Sequence, residues 1–173
     1  ATNFAADHQA TDTPTNNFAT LNPLAIPTSA GANTFSEGNL IITNSADAWR
    51  TSFSTIGVQN GKWYCEAKFL SGEMKQYIGI SKPQDTMDYL GQSANSYGFA
   101  GENGRKWNNG SYSAGYGSAA STGDIMMVAF DADNGTIWVG QNGTWFSSAT
   151  EGEIEAGTTT NAMYSSITID DFF

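Results

Sequence analysis

Residues 63–69 alternate strictly: Trp63, Cys65, Ala67 and Phe69 are apolar, while Tyr64, Glu66 and Lys68 carry a polar or charged end. Side chains on a strand leave opposite faces in turn, so this period of two predicts a strand with the odd set in a core and the even set towards water. On that reading Cys65 is a buried, inert thiol. Shorter strands are predicted at Leu40-Ile41-Ile42 and from Gln76 to Ser81, the latter stopped by Pro83. Ser96 to Ala100 and Arg105 to Trp107 flank Asn103-Gly104 as a hairpin. Asp124 to Asp131 is apolar at both parities, which suits a central strand covered from both sides. Thr136 to Gly140 pairs back across Asp133-Asn134-Gly135, Asn142-Gly143 leads into Thr144-Trp145-Phe146, and Met163 to Thr168 makes a last short strand. Residues 147–160, with Glu151, Glu153 and Glu155, read as a loop, and no segment sustains a helical period.

Turn chemistry supports the same picture. Five Asn-Gly pairs occur, at Asn60, Asn103, Asn109, Asn134 and Asn142. This dipeptide takes positive φ at both centres of a type I′ turn, whose twist matches antiparallel strands. Trp63, Trp107, Trp138 and Trp145 each follow such a pair closely, so an aromatic enters the strand after each of those turns. The predicted fold is all-β, an antiparallel two-sheet β-sandwich. Residues 1–34 differ: they are rich in Thr, Asn and Ala, hold Pro14, Pro23 and Pro27, and space out Phe4, Phe18, Leu21, Leu24 and Ile26. They are expected to form an extended arm lying on a sandwich of residues 35–173.

Composition narrows the function. The 173 residues suffice for one domain with a proper core. Only 14% are charged, and 7 Lys+Arg against 17 Asp+Glu leave a net charge of −10. Such a chain repels phosphate backbones and anionic lipid, so neither nucleic acid nor membrane insertion is expected. Nothing approaches eighteen consecutive apolar residues. The first residues have no basic segment followed by an apolar one, so no signal peptide is expected. The absence of an initiator Met fits either Met removal or a segment of a longer polypeptide.

Catalytic chemistry finds little support. The single Cys65 excludes an internal disulfide, the single His8 sits in the N-terminal arm, and no Gly-x-Ser-x-Gly elbow exists. Two-carboxylate hydrolysis needs only a pair such as Asp131 with Asp133 or Glu66 with Glu102. Asp131 and Asp133, however, flank an Asn-Gly turn, where Asp serves local hydrogen bonds. The run Asp131-x-Asp133-x-Gly135 departs from a calcium loop: its Gly is one place early and its twelfth position is Asn142. No catalytic residue, metal or cofactor is expected.

Four stretches together resemble the SPRY (B30.2-like) domain: Gly61-Lys62-Trp63-Tyr64-Cys65-Glu66-Ala67; Tyr77-Ile78-Gly79-Ile80-Ser81; Ser96-Tyr97-Gly98-Phe99 with Asn103-Gly104 and Trp107-Asn108-Asn109-Gly110; and Gly123 to Ile137 ending at Asn142-Gly143. They follow in order over about residues 57–146. Thr15 to Pro23 is similar to segments that precede SPRY modules in phage proteins. The resemblance implies a concanavalin-like sandwich that binds partners through loops of no fixed motif. It departs at the end, where Ile169-Asp170-Asp171-Phe172-Phe173 stands in place of an Asn-Phe-Gly closing strand. Either that strand has diverged, or the chain is cut short, or a neighbour supplies the edge.

The candidate binding residues are Trp49, Arg50, Tyr97, Trp107, Tyr112 and Tyr116, since Tyr, Trp and Arg dominate interface hot spots. The same aromatics are also the side chains that would fill a sandwich. The expected function is a non-catalytic binding or structural module of a phage virion, in a tail, fibre or head decoration. Its expected partners are other virion proteins, further copies of itself, or a host surface protein or glycan. The alternative is a lectin-like carbohydrate-binding module.

Overall fold

The computed structural model describes residues 18–25, 33–44, 49–70, 76–83 and 87–173. Phe4, His8, Pro14, Ile26 and Pro27 of the arm lie outside them. The strands in chain order are β1 (Thr34–Ser36), β2 (Ile41–Thr43), β3 (Lys62–Lys68), β4 (Tyr77–Ser81), β5 (Ser96–Ala100), β6 (Arg105–Asn108), β7 (Ser111–Ser113), β8 (Ile125–Asp131), β9 (Thr136–Gln141) and β10 (Thr144–Trp145). One four-stranded sheet runs β10-β9-β8-β3, a second runs β4-β5-β6-β7, and β1 pairs with β2 as a separate hairpin. All of these pairings are antiparallel, as the sequence predicts.

Loop length decides how each Asn-Gly pair turns. Two residues separate β6 from β7 and β9 from β10, and there both Asn109-Gly110 and Asn142-Gly143 take positive φ, the I′ pattern. Four residues separate β5 from β6 and β8 from β9, and there only Gly104 and Gly135 are left-handed. Asn60-Gly61 likewise has positive φ at Gly61 alone, and it leads into β3 without joining two paired strands. The expectation of five equivalent turns is corrected to two.

The two sheets face each other over Phe99, Met126, Val128, Phe130, Ile137 and Val139, with Met163 and Ile167 from the C-terminal segment wedged among them. β8 is buried at every residue after Ile125, as a central strand apolar on both sides should be. Its other face meets a second cluster, in which Trp138 and Ala129 pack against Ala149, Trp145, Ile154 and Ala162. Of the residues that cover it, Ala149 and Ile154 belong to a stretch the sequence reads as loop but which contains a helix, α1 (Glu151–Ala156). Thr150 and Glu153 form a reciprocal capping box, and Gly157 closes the helix in the left-handed conformation. Thr150-x-x-Glu153 with a following Gly was the legible signal, but six residues are too few to show a helical period. Met163 to Thr168 is not a strand either: Tyr164 makes a single bridge to Ile137.

β3 requires the main correction. Its register sets Trp63, Cys65 and Ala67 opposite Phe130, Val128 and Met126, so the odd residues do lean to the core side. Phe69 is buried, but Trp63 is 46% exposed and Cys65 is exposed. The reason is position: β3 is the last strand of its sheet, with no strand paired beyond it among the described residues. The thiol is nonetheless pushed up, by desolvation against the neighbouring protein and then by the Glu66 carboxylate, so Cys65 is no ready nucleophile.

Asp131, 1% exposed, organises the end of β8. It accepts the backbone N–H groups of Asp133 and Asn134 at 3.1 Å each and Asn134 Nδ2 at 2.9 Å, and Lys62 Nζ stands 3.6 Å away. Burial pushes this carboxyl up, but the Asn134 and Asp133 donors and the Lys62 ammonium outweigh it and hold the group below its usual range. A depressed folded pKa adds stability above the ordinary carboxylate value near 4, and that stability is lost as pH falls through the lower folded value. Thermal melts of the wild type and Asp131→Asn should therefore differ at pH 7 and converge at progressively lower pH. Gly135 has φ +59°, and a Cβ there would lie 2.0 Å from the Ile167 carbonyl. Gly143 has φ +80° with open space around it. Gly135→Ala should cost about 3 kcal/mol and lower Tm by roughly 10 °C, while Gly143→Ala should cost about 1 kcal/mol, as calorimetry of both variants would read.

Candidate functional site

Alternation along β4 to β7 divides the second sheet into two faces. Ile78, Ile80, Tyr97 and Phe99 point to the core. The opposite parity brings Tyr77, Ala100 and Arg105 into one row and Gly79, Gly98, Trp107 and Tyr112 into the next. The glycine pair beside Trp107 leaves a trough on the outer face. A Cβ at Gly98 would meet Leu90 O at 2.6 Å, and one at Gly91 would meet Trp107 Cβ at 2.5 Å, so the loop after Met87 lies directly on the sheet.

That loop is pinned. Met87 is buried, with the Ser96 hydroxyl 3.3 Å from its sulfur; Gly91 N–H donates to Ser96 Oγ at 2.6 Å, and Gly110 N–H donates to Gly91 O at 3.0 Å. Thr51 Oγ1 donates to Asp88 O at 3.0 Å and ties in the segment that carries Trp49 and Arg50. The result is a continuous aromatic patch. Trp49 lies 5.2 Å from Tyr77 and 5.4 Å from Tyr89; Trp107 lies 5.6 Å from Tyr89 and 5.0 Å from Tyr112. The Arg105 guanidinium stands 4.2 Å over the Tyr112 ring. Trp49 is 41% and Tyr112 51% exposed, whereas Tyr77, Tyr89 and Trp107 are half-buried beneath them. Burial, and then the Glu102 carboxylate, push the Tyr77 hydroxyl up to about 12, so it stays a neutral donor at physiological pH.

Of the sequence candidates, Trp49, Trp107 and Tyr112 meet in this patch, with Arg50 half-buried beside Trp49. Tyr97 and Tyr116 do not join them. Tyr97 packs on Tyr164 at 5.2 Å and faces the core, while Tyr116 is buried and its hydroxyl accepts Val139 N–H at 3.3 Å. Tyr77, Tyr89 and Arg105 complete the patch and were missed. Parity carried a signal for two of them, since Tyr77 alternates with Ile78 and Ile80, and Arg105 shares parity with Trp107. Tyr89 sits in a loop, where no period exists.

Elsewhere the polar groups are committed to structure. Asp131 serves the β8–β9 turn, and Asp133 Oδ1 accepts Gly61 N–H at 2.8 Å, tying that turn to the start of β3. Glu66 is on β3 of one sheet and Glu102 in the turn after β5 of the other. Among the described residues no three His, Cys, Asp or Glu side chains are grouped to hold a metal, and no helix is long and apolar enough to cross a membrane.

A two-layer antiparallel sandwich with a pinned aromatic face and a turn-bound set of carboxylates is a scaffold for recognition. Residues 62–163 match the SPRY domain, and the chain belongs to that family. Among solved structures it is similar to the SPRY domain of human HERC1, with a TM-score of 0.62 and 18% identity over 76% of this chain and 80% of that one. At such identity the likeness shows the fold. SPRY domains mediate protein–protein interactions and are in general non-catalytic. Gly98→Val should lift the loop after Met87, change the near-ultraviolet dichroism of the aromatic patch and red-shift tryptophan emission, with the far-ultraviolet spectrum unchanged. An unaltered near-ultraviolet spectrum would mean that the loop does not depend on Gly98.

Proposed function

We propose that this chain is a non-catalytic recognition module that holds a protein partner on the patch of Trp49, Tyr77, Tyr89, Trp107, Tyr112 and Arg105. The observation that carries the reading is the mutual packing of these rings, with Trp49 and Tyr112 exposed over half-buried Tyr77, Tyr89 and Trp107. Aromatic and Arg side chains already held in place lose little freedom on binding and supply most of the energy in protein interfaces. We further propose that the module works in a phage virion, as a tail, fibre or head-decoration component, touching neighbouring virion proteins or a host surface protein. The likeness of Thr15 to Pro23 to segments before phage SPRY modules supports this setting, and the low charged fraction suits an extracellular particle.

A second reading, lectin-like binding of a surface glycan, is favoured by the two exposed rings, since flat aromatic faces beside Asn- and Gly-rich turns suit sugars. The readings separate on a glycan array, where a protein-binding module is silent.

Purified virus particles should contain the polypeptide by mass spectrometry, and its absence from them would remove the virion assignment. Trp49→Ala with Tyr112→Ala should weaken attachment to those particles or to host cells by roughly a hundredfold or more, at about 2 kcal/mol for each anchor, without altering the fold. Undiminished attachment by this double variant would show that the patch is not the contact surface.

A further inference from the structure

The outer edge of β3 carries a second surface, unrelated to the aromatic patch. Gly61 O accepts Ala132 N–H at 2.9 Å before β3, and Phe69 N–H donates to Asp124 O at 2.9 Å after it. Antiparallel ladders alternate hydrogen-bonded with non-bonded pairs, so the odd residues between them bond to β8. Lys62, Tyr64, Glu66 and Lys68 therefore turn their backbone N–H and C=O groups the other way. Among the described residues no strand pairs on that side. The edge is seven residues long and unbulged, has no proline, and exposes Trp63 at 46% and Tyr64 at 55%. Such an edge is a template for another strand.

We propose that β3 pairs with β3 of a second copy of this chain, antiparallel about a twofold axis through Tyr64. In that register Lys62 faces the partner's Glu66, Tyr64 faces the partner's Tyr64, and Glu66 faces the partner's Lys62. Each facing pair uses the outward backbone groups and exchanges two hydrogen bonds. The side chains agree with the backbone, since each opposed Lys–Glu pair is attractive across strands. Neighbouring registers lack this match. An axis through Cys65 sets Lys62 against the partner's Lys68, and an axis through Glu66 sets Glu66 against itself.

A chain of net charge −10 repels its copies, but β3 holds two of its seven basic residues and only one acid. At physiological salt the remaining charges are screened beyond about 8 Å. Lys62 Nζ pairs with Asp131 and donates to the Glu155 carbonyl, and Glu66 accepts the Tyr64 hydroxyl, but the Lys62 side chain is 47% exposed, so the partner's Glu66 approaches its ammonium from the solvent side. The closed twofold uses one edge per copy and leaves none free on this side of the sheet.

Sedimentation velocity of the full chain between about 1 µM and 100 µM tests this. The wild type should form dimers in that range. Glu66→Lys should raise the dissociation constant about tenfold or more by opposing like charges, while Glu66→Gln, which only removes the attraction, should raise it less. A bis-maleimide of about 8 Å span supplies an independent readout. In this register Cys65 and the partner's Cys65 lie on the diagonal, so the wild type should be cross-linked and Glu66→Lys should not. Trp49→Ala with Tyr112→Ala should dimerise as the wild type does, which keeps this proposal separate from the patch. A chain that stays monomeric throughout the range, or a dimer indifferent to Glu66→Lys, would overturn it.

Discussion

A single buried carboxylate ties together three parts of the molecule at one end of the β8 strand. Asp131 closes the β8–β9 turn through the Asp133 and Asn134 donors and pairs with Lys62 at the start of β3. It also sits against the end of α1, where a Cβ at Gly157 would lie 3.0 Å from its Oδ2. The turn, the edge strand and the short helix are thereby referenced to one point. Its desolvation is tolerable because nearly every lone pair is met by a donor. The same satisfaction removes it from chemistry: a carboxylate committed to three donors and a lysine has no proton to trade at neutral pH.

What the sequence made legible follows from how local each cause is. Alternation gave β3 its faces correctly, because parity is a property of the strand alone, while β1 and β7 went unpredicted and Met163 to Thr168 proved not to be a strand. It failed on burial, since whether Trp63 and Cys65 meet a second layer depends on strand order, which no local pattern encodes. The Asn-Gly pairs marked turns reliably but not turn types, because the number of residues between strands decides whether Asn or only Gly becomes left-handed. Part of the aromatic patch was visible as residue types in Trp49, Trp107 and Tyr112. Its assembly was not, since Tyr89 arrives on a loop that reaches the sheet only through the space left at Gly98 and Gly91.

The glycines thus do on the second sheet what side chains do elsewhere. Deleting side chains at Gly79 and Gly98 removes packing from the outer face and lets backbone from another segment approach. The loop that fills this space, with Met87 buried under it, converts a solvent-facing sheet into a platform with aromatic walls. The C-terminal segment plays the matching part inside. Lys106 Nζ donates to Met163 O at 2.7 Å, and Phe173 exchanges hydrogen bonds with Val58 at 2.9 and 3.0 Å. Met163 and Ile167 of this segment are buried in the core between the sheets.

The two candidate surfaces belong to different sheets, and that separation has a functional consequence. Pairing along β3 would join the β10-β9-β8-β3 sheets of two copies while leaving both β4-β5-β6-β7 outer faces untouched. A dimer would then present two aromatic patches on one rigid body. If the patches engage repeated partners, the second contact becomes intramolecular, and avidity can exceed single-site affinity by roughly 10²–10⁴ without any new contact. Modest affinity at each patch would then suffice on a surface built from repeats. This ties the exposed edge to the recognition face through geometry alone, because a twofold axis at β3 fixes the spacing of the patches and so the spacing of the partners they can bridge.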